Sequence, residues 1–454
     1  MASTSNNNEN SPLLHNHEIN NSGTPKPAQS NTALPMFKIA AAMYSFSLLG
    51  LFASSIGALI PLLSSHYSLS DIHVSLLFLA GPTGYILAAQ ASSLIHFHLG
   101  QRGIAFLGPV FQVAAASLIA IRPKFGWVCF GFAVNGLGTG LLDGSWCAWA
   151  GGMEGGNVVS GFLHGGYSVG GAGGPFLVTL MVEKGWAWWS WYWVLVMLSV
   201  IDFVVLLSAF STSTASVYRQ NEQSALLTSI LQPENHSPTT KLDAKAIFRY
   251  PATWLCAAYF LSYVGTETAV SGWVVSFMLR NRNATPYLAS LCSSGFWIGM
   301  AVGRLVLGFF TERIGVRRAV VLYFLCAIGL EILFAALSFP LSSIILMTML
   351  GSIMGPLFPS GVVVLTRLLP GELHIATVSF VSSLGQVGGA FLPFAIGAVV
   401  QSLGIGVFQY AILAQTVLAL VVWVVFARVR PRTTALGSVA RERDGTRHAD
   451  SRDD

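Results

Sequence analysis

Six ionisable residues, Asp143, His164, Asp202, Glu267, Arg304 and Glu331, stand inside stretches that are otherwise apolar. In hydrocarbon such side chains are costly, so they pair with one another or face water, and they mark candidate paths for ions and substrates. Asp143 and His164 belong to successive apolar runs. Each lies about seven or eight residues from the same membrane surface, a depth of roughly 10–12 Å at helical rise. The two can therefore meet, and a His beside a carboxylate binds and releases a proton near neutral pH. Trp146 and Cys147 follow Asp143 at helical spacing and share its face. The competing reading is a hydrogen bond that only locks two helices together.

Glu267 lies in "YVGTETAVSGW", residues 263–273. It is about sixteen residues into its run, roughly 24 Å deep, with Tyr263 and Ser271 four residues to either side. A carboxyl group there either keeps its proton and stays neutral or releases it when a cavity opens to water. Arg304 lies nearer the opposite end of the next run and is expected to act as a gate or as a partner of Glu312. Asp202 and Glu331 have no neighbour in sequence to pair with. Trp146, Trp149, Trp273 and Trp297 are candidate cavity walls, and Ser382, Ser383 and Gln386 candidate polar lining. "GWAWWSWYWVL" (185–195) reads as an interfacial aromatic belt.

The elements that must position these residues are membrane helices. The chain has 454 residues, 53% hydrophobic and only 9% charged, against roughly 25% charged in soluble domains. Apolar runs of about twenty residues span a bilayer. Twelve are present, near 37–64, 72–95, 103–121, 127–151, 157–181, 187–210, 251–279, 284–311, 317–338, 340–368, 373–398 and 404–427. The polar stretch 211–250 divides them six and six. The segments 1–36 and 428–454 read as disordered tails, and no signal peptide is apparent. All five cysteines fall in apolar runs, which gives no disulfide framework and no metal-ligand spacing. The net charge of +5 resides in tails and loops and does not suggest nucleic-acid binding.

Lys38, Arg102, Arg219, Lys245, Arg249, Arg313, Arg317, Arg318 and Arg367 fall on the side of the tails, whereas Arg122, Lys124, Lys184, Arg280 and Arg282 fall opposite. This bias puts both tails and the 211–250 loop in the cytoplasm. The sequon Asn283-Ala284-Thr285 then faces outward, close to the membrane, as a glycosylation candidate. Glu9–Leu14, "ENSPLL", has the form of an acidic dileucine signal and raises vacuolar or endosomal routing beside the favoured plasma membrane.

The two groups of six spans repeat each other. Tyr44, Ser47, Gly50 and Gly57 precede Tyr259, Ser262, Gly265 and Gly272 by one offset (259 − 44 = 215). "HLGQR" (98–102) precedes "RIGVR" (313–317), and Gly136 and Gly140 precede Gly351 and Gly355, by that same offset. "VGGAGGPF" (169–176) and "VGGAFLPF" (387–394) match at 218. Parallel six-helix halves with a site between them near the midplane are a known carrier layout. Phe52 stands where Glu267 does in the second copy, so the acid is not a requirement of the scaffold.

"GFFTERIGVRR", 308–318, is similar to the signature of the major facilitator superfamily. Its implied gating residues are Gly308, for close helix approach, Glu312, Arg313, Gly315 at the turn, and Arg317 and Arg318, joined by Arg304. "LLDGSWCAWAGGM" (141–153), "FLHGGYSVGGAGGPF" (162–176), "GFWIGMAVGRLVLGF" (295–309) and "GPLFPSGVVVLTRLLP" (355–370) resemble the fungal branch of that family related to fucose permeases. The resemblance covers about residues 40–425. It implies an all-α fold of twelve transmembrane helices in two parallel halves. It also implies a monomeric carrier moving a small, sugar-like organic solute by alternating access with protons. Glu267, Asp143, His164, Tyr263, Trp146, Trp273 and Gln386 would line its path. Cys147 and Ser168 stand where relatives are expected to have Asn and Gly. Export of a metabolite and a non-transporting sensor on the same fold are the alternatives. No cofactor, metal or enzymatic motif is expected.

Overall fold

The computed structural model describes residues 33–153, 156–220, 223–224, 244–370 and 373–429. The dileucine motif, most of both expected tails and much of the 211–250 loop lie outside these residues. The described chain is helical, without strands. Nine described segments are long and apolar enough to cross a bilayer. One of them, Asp71–Ala120, holds two helices, because Gly100 adopts φ 70°, ψ −169° and breaks the run. Two further helices, Gly156–Glu183 and Pro251–Arg280, are long enough but diluted by glycine, serine and threonine. The result is twelve helices: α1 (Ala33–Tyr67), α2 (71–99), α3 (101–120), α4 (Phe125–Gly151), α5 (Gly156–Glu183), α6 (Ser190–Ala209), α7 (Pro251–Arg280), α8 (Pro286–Ile314), α9 (Val316–Ala336), α10 (Pro340–Leu368), α11 (His374–Leu403) and α12 (Phe408–Ala427).

Local sequence sets the ends. Proline occupies the first turn of α7, α8 and α10, where its missing N–H costs nothing. Thr285 caps α8 by accepting from the Leu288 N–H. Gly315, at φ 89°, makes the turn from α8 to α9 and is the counterpart of Gly100, 215 residues earlier.

Glycine also sets how closely the helices pack. In the first half α1 lies against α5 and α2 against α4; in the second α7 lies against α11 and α8 against α10. A Cβ at Gly136 would overlap the carbonyl of Gly81, and one at Gly351 would overlap the carbonyl of Phe296. Those four residues are two pairs at the 215 offset. One at Gly140 would fall 2.7 Å from the Tyr85 carbonyl, and one at Gly355 2.7 Å from that of Met300. The sequence repeat is therefore a repeat of backbone contacts, in which small residues let helices approach where lipid supplies no hydrophobic drive. Gly308 is a correction to the expectation: a Cβ there would meet nothing within 4 Å, so it brokers no close approach. Its face is turned to open space instead of a neighbouring helix.

Asp202 and Glu331 are internal to the halves. Ser45 Oγ donates to Asp202 Oδ2 at 3.2 Å, joining α1 to α6, and Thr416 Oγ1 donates to Glu331 Oε1 at 2.8 Å, joining α9 to α12. The glycine packing yields a direct test. Gly351→Val should destabilise the fold by about 1–3 kcal/mol or more, as overpacking does, whereas Gly329→Ala, with open space around its Cβ, should be neutral or stabilising. Thermal unfolding of the two purified variants followed by size-exclusion profile checks this.

Candidate functional site between the two halves

Arg304 holds the centre. It is on α8, ten residues from the end of that helix, and its side chain is 15% exposed. One nitrogen, Nη1, donates to Ser168 Oγ at 2.8 Å and to the His164 carbonyl at 3.2 Å, both on α5 of the other half. The second, Nη2, lies 3.8 Å from Glu267 Oε1 on α7. Arg304 thus satisfies its charge with acceptors from both halves. The expected pairing of Arg304 with Glu312 is not formed. Glu312 is exposed and has no ion-pair partner among the described residues, and the acid that meets Arg304 is Glu267. Counting backbone depth puts the two residues roughly 9 Å apart along the membrane normal. That distance closes when a long guanidinium stem and a glutamate extend toward each other.

Asp143 and His164 approach each other but do not pair directly. Tyr85 Oη donates to Asp143 Oδ2 at 2.7 Å. Cys147 Sγ sits 3.7 Å from Asp143 Oδ1 and 3.9 Å from His164 Nε2, so the thiol stands between the acid and the imidazole. The cause is local: Cys147 is one turn after Asp143 on α4, on the face turned to α5. The His164 ring also meets Phe46 and Phe358, with centroids 5.7 and 5.9 Å away. A polar chain therefore runs Tyr85, Asp143, Cys147, His164, Arg304, Glu267 across α2, α4, α5, α8 and α7. Asp143, Cys147, His164, Arg304 and Glu267 are all partly exposed in this bundle.

Of the remaining expected site residues, Tyr263 stays within reach of Glu267 on α7, and the others fall elsewhere. Tyr263 is buried, and its hydroxyl donates to the Met354 carbonyl at 3.0 Å. Trp146 is fully buried and stacks on Phe210 at 4.2 Å, turned away from Asp143. Trp273 is buried near Phe78 and gives its N–H to the Pro393 carbonyl at 2.9 Å. Gln386 is partly exposed on α11 with no hydrogen-bond partner among the described residues. Tyr85 and Phe358 are participants that sequence reasoning did not single out, and Ser168 was marked only as a departure from relatives, with no role. A signal existed for Ser168, because the 218 offset maps it onto Gln386 (168 + 218).

Contacts across the halves are confined to one side. Measured from Arg304 toward the surface opposite the chain ends, Trp297 packs on Tyr167 at 5.6 Å and bonds Ser271 Oγ at 2.9 Å. A Cβ at Gly57 would overlap the Ser271 carbonyl, and one at Gly397 would fall 2.5 Å from Ser75. Thr179 and Ser290 join hydroxyls between α5 and α8. At the rim, Arg280 makes two bonds to Asp71, at 2.6 and 3.1 Å, and the Asp71 N–H donates to Gln401 Oε1. Between Arg304 and the surface that carries the chain ends, no hydrogen bond, ion pair or ring contact joins the halves among the described residues deeper than His164 and Phe358. Among the described residues, then, the halves are joined at Arg304 and on the far side.

Known proteins agree with this architecture. The profile of the Major Facilitator Superfamily matches residues 255–450. "Bypass of stop codon protein 6" of Saccharomyces cerevisiae is 28% identical over 396 residues, 82% of this chain and 78% of that protein. "Glucose/mannose transporter GlcP" of Bacillus subtilis is 27% identical over 135 residues, 30% of this chain and 33% of that protein. With two six-helix halves repeating one set of glycine contacts around a shared arginine, this multi-pass membrane protein is similar to members of the Major Facilitator Superfamily.

Proposed function

We propose that the chain is a proton-coupled carrier that moves a small, sugar-like solute by alternating access between residues 37–210 and 251–427. The observation that carries the reading is the bridging of Arg304 between the halves at mid-depth, with the further contacts between the halves among the described residues lying on one side of it. Protonating Glu267 removes the charge that holds one end of the guanidinium. The acceptors that remain, Ser168 and the His164 carbonyl, belong to the opposite half. Proton occupancy on α7 therefore alters the contact on which rocking depends, which is the differential interaction a coupled equilibrium needs. Cys147 links His164 to Asp143 as the second proton-handling group. Gln386, with its amide free, is a candidate for solute hydroxyls.

The basic bias of the tail-side loops supports a cytoplasmic placing of the chain ends, so the sealed side faces outward and this conformation is open inward. A plasma-membrane monomer surrounded by lipid is the working state. The sugar-like class rests on the fucose-permease resemblance and on the partial likeness to a glucose/mannose transporter.

Proteoliposomes carrying the purified protein test coupling, with radiolabelled hexoses as probes and an imposed pH gradient. Flux should rise with an inward-directed proton gradient, and Glu267→Gln should exchange solute while ignoring that gradient. Wild-type flux indifferent to pH gradients would sink the coupling. Alternating access has its own test, in the hydroxyl pair across the seal. A Thr179→Cys/Ser290→Cys variant should lose net flux on oxidation and recover it on reduction. Full flux in the oxidised, cross-linked protein would rule out opening at that side.

A further inference from the structure

The turn from α8 to α9 carries a cavity that the transport path does not use. Its volume is about 360 Å³, and Gly315, Arg317, Arg318, Val364 and Arg367 line it on the surface that carries the chain ends. Three of its lining residues are arginines, all exposed. Among the described residues Arg318 and Arg367 have no hydrogen-bond or ion-pair partner, and Arg317 spends one nitrogen on the Val429 carbonyl at 3.1 Å. Glu312 and Arg313, the acid and base that precede the turn, are exposed and form no ion pair among the described residues. The cavity also receives the start of α9, a helix of 21 residues whose first N–H groups have no partner within the helix. Unpaired cations and a helix N-terminus act in the same direction and favour an anion.

The repeat supplies an internal comparison. In the first half the equivalent turn is filled by the chain itself. The Arg102 N–H donates to the Ser213 carbonyl at 3.0 Å, and a Cβ at Gly100 would run into residues 213–215. In the second half the equivalent N–H, that of Arg317 (102 + 215), has no such acceptor, and Gly315 has nothing within 4 Å of its Cβ position. One half provides its own acceptor oxygen at this place; the other presents arginines and open volume.

We infer that the cavity between Gly315, Arg317, Arg318 and Arg367 binds a phosphate-bearing anion, either the headgroup of an anionic lipid or a soluble phosphate. Its place at the membrane surface, between the ends of α8, α9 and α10, suits a headgroup whose acyl chains run down the bundle. A phosphate oxygen would take the position that the Ser213 carbonyl holds in the first half, and planar guanidinium groups match it in pairs. Occupancy would brace the α8–α9 turn, and so would stabilise this conformation by mass action.

The test uses the purified full-length protein and two probes: phosphatidylglycerol mixed micelles against phosphatidylcholine, and inorganic phosphate at fixed ionic strength. Thermal stability and titrated affinity are read together. Phosphatidylglycerol should raise the unfolding temperature, and Arg318→Gln/Arg367→Gln should weaken the affinity about tenfold. The control Arg102→Gln, in the self-filled turn, should leave it unchanged. A rise with both probes assigns a soluble phosphate site, and a rise with lipid alone assigns a headgroup site. No shift with either probe would overturn the inference. So would a shift that survives in the double variant, or one equally lost in the Arg102 control. An Arg318→Lys/Arg367→Lys variant, which keeps the charge, should retain part of the effect and guards against a folding defect.

Discussion

A guanidinium at the depth of Arg304 constrains everything around it. It cannot be deprotonated, and an unpaired cation in a low-dielectric interior costs several kcal/mol. Five N–H donors must find oxygen, and helical backbone at that depth has already used its carbonyls along the helix. The bundle answers with Glu267 from α7, the Ser168 hydroxyl and a second claim on the His164 carbonyl from α5. Once those acceptors are required, α5, α7 and α8 must converge. The glycines at 170 and 171 on α5, against Ser47 and Trp297, are what permit the convergence. The charge therefore dictates where the halves touch, and the glycines dictate how closely.

The repeat separates scaffold from chemistry. Positions that set backbone distance recur at equivalent places in both halves, as with Gly136 and Gly351, or Gly140 and Gly355. Positions that carry protons do not. Glu267 has Phe52 for its counterpart, and Asp143 has Phe358 (143 + 215). Phe358 packs on His164, the residue that Cys147 connects to Asp143. Each half thus contributes one acid and, at the matching place, one aromatic ring. The same geometry that builds a symmetric shell leaves a central site that is polar along one diagonal and apolar along the other. An asymmetric site in a symmetric shell suits the proposed coupling, in which the gain or loss of a proton acts on one half only.

Much of this was legible in the sequence, and the reason is the bilayer. Hydrocarbon forces every span to be a helix of about twenty residues, so the twelve spans, their order and the 215-residue repeat follow from composition. Rare intramembrane charges stand out for the same reason, and Glu267, Arg304, Asp143 and His164 do converge. What the sequence concealed is the pairing. Helical periodicity gives the face of a residue only relative to its own helix, so Trp146 and Cys147, at adjacent positions, were indistinguishable as partners of Asp143. Packing turned one into the core against Phe210 and the other toward His164. The Glu267 partner of Arg304 was missed because backbone depth ignores the reach of two long side chains. Gly308 shows the converse limit: a glycine at a motif position has no packing role where its face meets no neighbour.

The contacts between the halves on the far side are weak, which fits the alternating access proposed above. Arg280 and Asp71 meet where the arginine is 43% exposed, and an exposed ion pair contributes only about 0.2–1 kcal/mol. The inner layers are glycine-to-carbonyl contacts, a hydroxyl pair and the edge of Trp297 on Tyr167, none of which buries a charge. A switch between two states needs them to differ by a few kcal/mol at most. A large apolar interface, or a fully desolvated ion pair at the rim, would exceed that and lock the molecule. The costly interaction is instead placed at Arg304, at the pivot between the halves. There the acceptors on α5 and on α7 can exchange shares of the charge without exposing it to lipid. Strong binding at the pivot and weak binding at the rim is the arrangement that the proposed alternating access requires of two halves that rock while remaining joined.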